Sequence, residues 1–456
     1  MVAGTHSGCG KTSVALGLMA ALRKRGLKVA PFKVGPDFID PGYHKVVCLQ
    51  PSHNLDTWMN DKATVRQIFS QGCKGADIAV IEGAMGLYDG AGGRYGPGAS
   101  AHVAKVLGIP VLLVVDSSHM AASVAALVKG FTEFDTQVRF VGILINKVAS
   151  DRHEQIIRRA LEGSGFEWCA CLRRNGAIKI PSRHLGLVTV HDQNGIDDLL
   201  SDLGSWVEQY CDIEALLKIL ASCSVPLAQS TDLKEEATSD LHGPSIGVAR
   251  DEAFCFYYQA NLDMFNFFGA KLTFFSPLKD AHLPQNVQAL YFGGGYPELY
   301  AEELSENSSM LREIKKASRS GMPIYGECGG FIYLCNGIQK ENGKQMRWCG
   351  IFPFWIKMEH RFQALGYREV TTVKNSIIGK CGIKLRGHEF HYSRLVPDEN
   401  GPVPDQIYEV RDADGLTCQS PGWTMDNTLG SYIHVHMGSS PEAVHALVKA
   451  AASFRK

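Results

Sequence analysis

Short apolar runs alternate with helix-like stretches through the first half of the chain. The runs at 29–34, 78–81, 111–115 and 140–145 are each bounded by glycine, proline or charged residues. Continuous apolar strands separated by helices are typical of a parallel sheet that is covered on both faces. The pattern therefore predicts an α/β domain. Its predicted helices cover residues 12–25, 154–161 and 197–220.

The pattern changes at residues 222–244. This segment is polar, contains two prolines and has no apolar period, which is typical of a linker. A second α/β pattern follows, with buried-strand candidates at 246–249, 290–292 and 323–325. The sequence thus predicts three parts, which are a first domain over 1–225, a linker over 226–243 and a second domain over 244–456.

The charge balance removes two classes of protein from consideration. Lysine and arginine total 46 and aspartate and glutamate total 47, so the formal net charge is -1; this gives no support to a nucleic-acid or membrane-surface binder. The longest apolar run, 106–115, is too short to span a bilayer. The 13 cysteines are an odd number, and the close pair Cys169 and Cys171 has no second pair at metal-binding spacing. We therefore expect a cytoplasmic, two-domain α/β protein with no nucleic-acid or membrane partner.

A glycine-rich loop opens the chain. Residues 4–12 read Gly-Thr-His-Ser-Gly-Cys-Gly-Lys-Thr, which is similar to the phosphate loop GxxxxGK[ST] with its first glycine one residue early. Such a loop offers backbone N–H groups and a helix N-terminus to phosphate oxygens, and its hydroxyl binds Mg²⁺. Only three residues precede this loop, so either the first strand is very short or the native chain begins upstream. The predicted nucleotide-binding residues are Thr5, Gly8, Gly10, Lys11 and Thr12.

Two polar residues directly follow buried runs of this domain. Glu82 follows 78–81, at a position where P-loop proteins place a carboxylate near Mg²⁺. Asn146 follows 140–145, where it can bond to the edge of a nucleobase because ligands bind at the carboxyl ends of open parallel sheets. A solvated strand end is the alternative for both residues.

The second domain carries a candidate nucleophile. An apolar strand runs into Gly-Glu-Cys-Gly-Gly at 326–330 and then into a helical pattern, which is the nucleophile elbow with cysteine in place of serine. A helix N-terminus after Cys328 is expected to favour the thiolate. A cysteine nucleophile needs a base. In a strand, His434 and His436 would share one face, so one is predicted to be the base and the other its orienter.

An acyl-transfer site also needs donors for the oxyanion. Gly294 and Gly295 directly follow a predicted strand, and their backbone N–H groups are the predicted donors. The segment 388–391, His-Glu-Phe-His, lacks the spacing of a helix-borne zinc site, and we expect it to have a substrate or structural role.

The two sites together predict a synthetase that is fed by glutamine. The cysteine would release ammonia from the glutamine side-chain amide. The nucleotide site would activate a carboxylate as an acyl phosphate, which ammonia converts to an amide.

Five segments resemble the cobyrinic acid a,c-diamide synthases of the corrin pathway. The resemblance implies a dethiobiotin-synthetase-like first domain and a class I glutamine amidotransferase-like second domain. It also implies ATP- and glutamine-dependent amidation of the a and c acetate side chains of cobyrinate, with Mg²⁺. We expect cobyrinate, ATP and glutamine as small-molecule partners and a homodimer as one possible assembly. The segments are FKVGPDFIDP at 32–41, EGAMGLYDG at 82–90, FGGGYPE at 292–298, YGECGGFIYL at 325–334 and RGHEFHYS at 386–393.

The resemblance also implies roles for single residues. Cys328 matches the nucleophile and His434 matches the base, whereas His436 stands where class I enzymes usually carry a glutamate. Lys33 matches a lysine over the γ-phosphate. Three acidic residues match positions near the nucleotide and the corrinoid carboxylate; Asp37 and Asp89 are predicted to be catalytic, and Asp37 and Glu82 are predicted to bind Mg²⁺ with Thr12.

Three alternatives stay open at this point. Hydrogenobyrinate and nickel-sirohydrochlorin amidases share these motifs, so the tetrapyrrole substrate is not fixed by them. Cobyric acid synthase fits less well, because its family lacks the segment Gly-Pro-Asp-Phe-Ile-Asp. A P-loop ATPase switch with a non-catalytic second domain is the alternative from another class, and the intact Cys328 and His434 argue against it.

Overall fold

The computed structural model describes residues 1–166, 168–176, 178, 180, 182–183, 186–187, 195–223, 243–340 and 342–454. Two compact units divide the chain, Met1–Thr231 and Asp232–Lys456. The predicted linker, 226–243, lies outside the described residues apart from Gly243. Among the described residues, no helix combines the length and the apolar character needed to cross a membrane.

The first unit contains a seven-stranded sheet in which every pairing is parallel. Its order is β3-β2-β4-β1-β5-β6-β7, with strands β1 (Val2–Gly4), β2 (Val29–Val34), β3 (His53–Leu55), β4 (Ile78–Glu82), β5 (Val111–Asp116), β6 (Phe140–Val148) and β7 (Cys169–Arg173). A separate pair is formed by β8 (Ser182–Arg183) and β9 (Gly186–Leu187). The helices are α1 (Lys11–Lys24), α2 (Ile39–Cys48), α3 (Lys62–Gly72), α4 (Ser100–Leu107), α5 (Ser123–Phe134), α6 (Asp151–Leu161), α7 (Ile196–Tyr210) and α8 (Ile213–Ala221), and Ala91–Gly93 is a 3-10 turn.

The first strand has three residues and lies in the middle of this sheet. Val2 is opposite Glu82 of β4 on one side and Leu112 of β5 on the other. On the next strand over, Lys33 of β2 is paired with Glu82. Because carboxyl ends of parallel strands meet at one edge, this register brings the phosphate loop, Glu82 and Lys33 together.

The predicted helix over 197–220 is two helices in the structure. Helix α7 ends at Tyr210, and α8 begins at Ile213. The break has a local cause, because the Asp212 side chain accepts a hydrogen bond from the Ala215 N–H at 2.9 Å and so caps a new helix.

The second unit contains a mixed seven-stranded sheet in the order β11-β10-β12-β13-β23-β22-β20, which is parallel from β11 to β23 and antiparallel at β22 and β20. Two four-stranded sheets, β15-β14-β16-β19 and β21-β17-β18-β24, accompany it. The sequence did not predict this largely antiparallel part. The strands are β10 (Ser245–Ala249), β11 (Lys271–Phe275), β12 (Ala289–Phe292), β13 (Ile324–Glu327), β14 (Cys335–Gln339), β15 (Gln345–Arg347), β16 (Phe352–Met358), β17 (Ala364–Thr372), β18 (Lys384–His391), β19 (Ser393–Pro397), β20 (Asp405–Gln406), β21 (Tyr408–Arg411), β22 (Trp423–Met425), β23 (Thr428–Ser431) and β24 (His434–Val435).

The helices of the second unit occur between β10 and β14 in the chain, except for the last, which follows β24. They are α9 (Gln259–Phe267), α10 (Ala301–Glu306), α11 (Ser308–Arg319), α12 (Gly329–Tyr333) and α13 (Pro441–Ser453), with 3-10 turns at Pro297–Tyr300 and Met437–Ser439. The strand that leads to the candidate nucleophile, β13, lies between β12 and β23 in the interior of the sheet, so the elbow is built on a rigid, buried strand.

Candidate active sites

The phosphate loop joins β1 to α1. Gly10 has a φ of 98°, a left-handed conformation that glycine adopts without strain, and α1 begins at the next residue, Lys11. The Lys11 side chain is 8% exposed and donates to the carbonyl of His6 at 3.0 Å. Burial lowers the pKa of Lys11. The lysine thus folds back over its own loop, around the position where a phosphate group would bind.

The end of β6 supports this loop. Asn146 Nδ2 donates to the carbonyl of Cys9 at 2.9 Å. The neighbouring Lys147 Nζ donates to the carbonyl of Gly8 at 3.0 Å and pairs with Asp116 at 2.5 Å. The structure therefore gives Asn146 a contact that the sequence did not predict, and its contact with a nucleobase stays a prediction.

A buried cluster lies at the carboxyl end of β4. Lys33 Nζ is 2.5 Å from Asp40 Oδ2 and 2.8 Å from Glu82 Oε1. The hydroxyl of Thr12 donates to the same Glu82 oxygen at 2.5 Å. The other oxygen of Glu82 is 2.8 Å from Nε2 of His44. Glu82 therefore connects the phosphate loop to β2 and α2.

The charges in this cluster differ from residue to residue. Burial opposes ionisation of Glu82, but Lys33 and His44 outweigh it and hold the pKa of Glu82 well below its ordinary value. Burial, Asp37 and Glu82 raise the pKa of Asp40 well above its ordinary value. Burial acts against the charge of Lys33, yet Asp40 and Glu82 keep its pKa raised. The cluster thus presents a permanent cation beside a permanent anion.

Asp37 and Asp89 lie outside the centre of this cluster. Asp37 Oδ1 accepts hydrogen bonds from the N–H groups of Ile39 and Asp40 at 2.8 and 3.1 Å, and its other oxygen is 3.9 Å from Lys33 Nζ. Asp89 is exposed and accepts from the Gly86 N–H at 2.8 Å. The sequence analysis assigned no role to Asp40. Its position in the same segment as Asp37 could have indicated that it belongs to this site.

The donors present fit Mg²⁺ only in part. Thr12 Oγ1 and Glu82 Oε1 are oxygen donors 2.5 Å apart, and Mg²⁺ typically takes one or two carboxylates together with waters and substrate phosphates. Within the described residues, no group of three His, Cys, Asp or Glu side chains is arranged to hold a metal. Thr12 and Glu82 therefore suit a cation that arrives with a nucleotide.

The candidate nucleophile occupies a strained turn. Cys328 has φ 45° and ψ -105°, a region that non-glycine residues avoid and that clusters at functional sites. Its N–H donates to Ser431 O on β23 at 2.7 Å. A Cβ atom added to Gly330 would lie 2.2 Å from the carbonyl oxygen of Phe292. The elbow thus needs a glycine at 330 to approach β12.

The predicted effect of the helix N-terminus on the Cys328 thiol is outweighed by burial. Helix α12 has five residues, and burial followed by the Glu298 carboxylate raises the pKa of Cys328, which the Gly329 N–H lowers less strongly. Burial raises the pKa of Glu298 itself to about 7. The thiol Sγ is 3.9 Å from the carbonyl of Phe390. A protonated thiol needs a base to become a nucleophile.

His434 is the buried imidazole of β24. It is 2% exposed, and its ring stacks on that of His388 with centroids 4.8 Å apart and an interplanar angle of 14°. Burial, with a smaller effect of His391, lowers the pKa of His434 to about 3. The ring is therefore neutral near pH 7, which is the form that accepts a proton.

The predicted pairing of His436 with His434 in one strand needs correction. Strand β24 ends at Val435, and His436 is the N-cap of the 3-10 turn Met437–Ser439. Its ring lies 4.8 Å from that of Tyr258, and its Nδ1 accepts from the Gly438 N–H at 3.2 Å. The ring stacked on His434 is that of His388, from the His-Glu-Phe-His segment.

Glu389 in the same segment is the centre of a buried polar group. Its carboxylate accepts from Arg368 Nε at 2.7 Å and from Ser420 Oγ at 2.5 Å, and it lies 3.0 Å from His391 Nε2. The ring of His391 stacks on Tyr432 at 3.7 Å. For the segment 388–391, either a substrate role or a structural role was predicted, and these contacts are structural.

The two predicted oxyanion donors, Gly294 and Gly295, differ in the surroundings of their N–H groups. The Gly294 N–H donates to the carbonyl of Phe256 at 3.1 Å, so the prediction for Gly294 is wrong. Gly295 N faces the elbow, because a Cβ atom on Gly329 would lie 2.8 Å from it. The Gly329 N–H acts on the Cys328 thiol, whose pKa it lowers. Sequence reasoning missed Gly329, although the N–H after the nucleophile is a common oxyanion donor in such elbows.

Comparison with known proteins agrees with this two-unit arrangement. A family model described as a CobQ/CobB/MinD/ParA nucleotide binding domain matches residues 1–187, and one described as a CobB/CobQ-like glutamine amidotransferase domain matches 245–442. Proteins named cobyrinate a,c-diamide synthase match over nearly the whole chain. That of Dehalococcoides mccartyi is 38% identical and aligns with 100% of this chain and 98% of its own; that of Caldanaerobacter subterraneus is 39% identical, with the same coverage. That of Syntrophotalea carbinolica is 40% identical, over 98% and 97%.

The chain belongs to the cobyrinate a,c-diamide synthase family. The resemblance and the predicted fold class are thereby confirmed, with a P-loop nucleotide-binding domain followed by a glutamine amidotransferase domain. As a member of this family the chain is an enzyme, a glutamine-dependent amidating ligase.

Proposed function

We propose that the protein amidates the a and c acetate carboxylates of cobyrinate, using ATP and taking ammonia from glutamine. The observation that carries the proposal is that one chain holds both a phosphate loop with the Lys33–Glu82 pair and a second unit with a cysteine elbow and a buried histidine. The names of its relatives support cobyrinate as the substrate.

The second unit would supply ammonia. Cys328 Sγ attacks the amide carbon of glutamine while His434 takes the thiol proton and passes it to the leaving ammonia. The resulting thioester is hydrolysed by water, which releases glutamate and restores the thiol. The N–H groups of Gly295 and Gly329 would bind the oxyanion that forms in each half of this cycle.

The first unit would activate the acceptor. A carboxylate oxygen of cobyrinate attacks the γ-phosphorus of ATP, ADP leaves, and an acyl phosphate forms. Ammonia then attacks the acyl carbon, and phosphate leaves as the amide forms. Lys11 and Lys33 would neutralise charge on the transferred phosphoryl group, because this chemistry depends on positioning and on electrostatic stabilisation.

Other groups of the first unit would bind and orient the reactants. Thr12 and Glu82 would hold Mg²⁺, which when bound with ATP lowers the repulsion between phosphate and carboxylate. Asp37, the predicted third Mg²⁺ ligand, belongs to the same proposal, and Asp37 and the exposed Asp89 would also position the corrinoid carboxylate. The predicted contact of Asn146 with the nucleobase belongs to the same proposal.

Mass spectrometry of the products tests this proposal. With cobyrinate, ATP and glutamine we expect two successive conversions of a carboxylate to an amide, and no conversion when ATP is omitted. Hydrogenobyrinate and nickel-sirohydrochlorin are assayed in parallel. Conversion of either of these in preference to cobyrinate would replace the proposed substrate, and no ATP-dependent conversion of any of the three would contradict the proposed reaction.

A further inference from the structure

We infer that His388 is a positioning residue, which holds the imidazole of His434 in the orientation that proton transfer from Cys328 requires. The inference rests on the proposed function, in which His434 is the base. It assigns to His388 the orienting task that the sequence gave to His436.

Strand register places the two rings together. Strands β18 and β24 are antiparallel, and His388 is directly opposite His434. Side chains directly opposite in such a pair leave the same face with Cβ atoms about 4.5–5.5 Å apart. The backbone pairing therefore brings the two side chains together, and the rings stack with centroids at 4.8 Å and planes inclined by 14°.

The outer ring is itself fixed. Nδ1 of His388 lies 2.8 Å from the hydroxyl of Tyr258, which is buried at the start of α9. The Tyr258 ring in turn contacts that of His436. A continuous series of contacts thus runs from His436 through Tyr258 and His388 to His434.

The backbone of Gly294 confines a second part of the His434 ring. A Cβ atom added to Gly294 would lie 2.2 Å from Cε1 and 3.1 Å from Nδ1 of His434. This backbone is held in place, because Phe256 and Gly294 exchange two hydrogen bonds of 3.0 and 3.1 Å. His434 is thus restrained by an imidazole stack and by a fixed backbone.

The charge state of His388 is compatible with orienting His434 by ring contact alone. Burial, followed by His434 and Arg368, holds the pKa of His388 well below its ordinary value. A neutral neighbour places no second positive charge beside His434 when that ring takes up the thiol proton. His388 therefore need not exchange a proton to orient the base.

Four variants of the full chain test the inference, with glutaminase kcat and KM, ammonia-dependent amidation and Tm measured for each. His388→Ala removes the stack and should lower glutaminase kcat roughly 10- to 100-fold, since misplaced catalytic groups cost this much, with little change in KM. His388→Phe and Tyr258→Phe each keep an aromatic ring stacked on His434 and lose the hydrogen bond between residues 258 and 388. Both variants should therefore have similar kcat values, which lie between those of the parent and of His388→Ala.

The matched control is His445→Ala, which removes another histidine stack, on Phe268, and should leave kcat unchanged. Ammonia-dependent amidation should be retained in all four variants.

Several outcomes would overturn the inference. A kcat for His388→Ala within twofold of the parent would do so, and so would a kcat for His388→Phe as low as that of His388→Ala at an unchanged Tm. If His388→Ala does not fold, an unchanged kcat in Tyr258→Phe would have the same consequence. His434→Ala separates this inference from the proposed function, because an active His434→Ala enzyme would mean that His434 is not the base at all.

Discussion

The N–H of Val435 donates to Oε1 of Glu327 at 3.2 Å. These two residues are the chain neighbours of the proposed base and nucleophile, since Val435 follows His434 and Glu327 precedes Cys328. The same carboxylate accepts hydrogen bonds from the hydroxyls of Tyr325 and Tyr291 at 2.9 and 3.0 Å. A buried acid thus joins the two strands that carry the chemistry.

Glu327 should make the stability of the second unit depend on pH. Burial raises the pKa of Glu327 from 4.5 to about 7 in the fold, although the hydrogen bonds act in the opposite direction. The protonated acid is therefore favoured in the folded state, and its contribution is full below pH 4.5 and is lost as the pH rises towards 7. Glu327→Gln removes this titration. As the pH rises from 4.5 to 7, the free energy of unfolding of the variant should therefore increase relative to that of the parent, by on the order of 3 kcal/mol. The difference in Tm between variant and parent should increase over the same interval.

Thermal unfolding at several pH values checks this prediction. The matched control is Glu409→Gln, an exposed carboxyl on β21, whose Tm should follow that of the parent at every pH. A constant difference in Tm between Glu327→Gln and the parent from pH 4.5 to 7 would contradict the assigned titration.

Lys11→Ala should abolish amidation with either nitrogen donor while glutaminase activity remains. The lysine lies over the phosphate loop, and loss of a charged donor to a transition state costs roughly 10²- to 10³-fold in rate. ADP and amide formation are measured with glutamine and with ammonium salt. Lys24→Ala, an exposed residue of the same helix, should keep both activities. Ammonia-dependent amidation at the parental rate in Lys11→Ala would rule out this assignment of the phosphate loop.

Gly330→Ala should damage the elbow selectively. The added Cβ would meet the Phe292 carbonyl at 2.2 Å, and overpacking of this kind costs about 1–3 kcal/mol. We expect a lower Tm and a loss of glutaminase, with ammonia-dependent amidation retained. Gly130→Ala in α5 has no neighbouring atom within 4 Å of the new Cβ and should be neutral or stabilising. An unaffected Tm and glutaminase rate in Gly330→Ala would show that the elbow tolerates a side chain.

The parts of this fold that sequence predicts are those with local causes. The buried strands β2, β4, β5 and β6 are continuous apolar runs. The phosphate loop and the cysteine elbow are each formed by residues that are contiguous in the sequence. The break between α7 and α8 was not predicted. A single capping residue, Asp212, is a weaker signal in the sequence than the helical repeat of apolar residues on both sides of it.

The site contacts that were missed join residues far apart in the chain. Asp40 reaches Glu82 through Lys33, and the stack of His388 on His434 depends on the pairing of β18 with β24. The N–H of Gly294 is used by Phe256, which no local pattern indicates. Such contacts are fixed by strand register and by burial, and these properties are set by the whole fold.

The measurement that tests the account most directly is the nitrogen-donor dependence of Cys328→Ala. If Cys328 serves only to release ammonia, the variant should lose glutaminase and glutamine-dependent amidation, yet keep ATP-dependent amidation of cobyrinate when ammonium salt is supplied at high pH. His434→Ala should behave similarly, because a base contributes on the order of 10²- to 10⁴-fold. Full glutamine-dependent activity in Cys328→Ala would contradict the assignment of the nucleophile. Loss of ammonia-dependent amidation as well, with the fold intact by circular dichroism, would contradict the division of labour between the two sites.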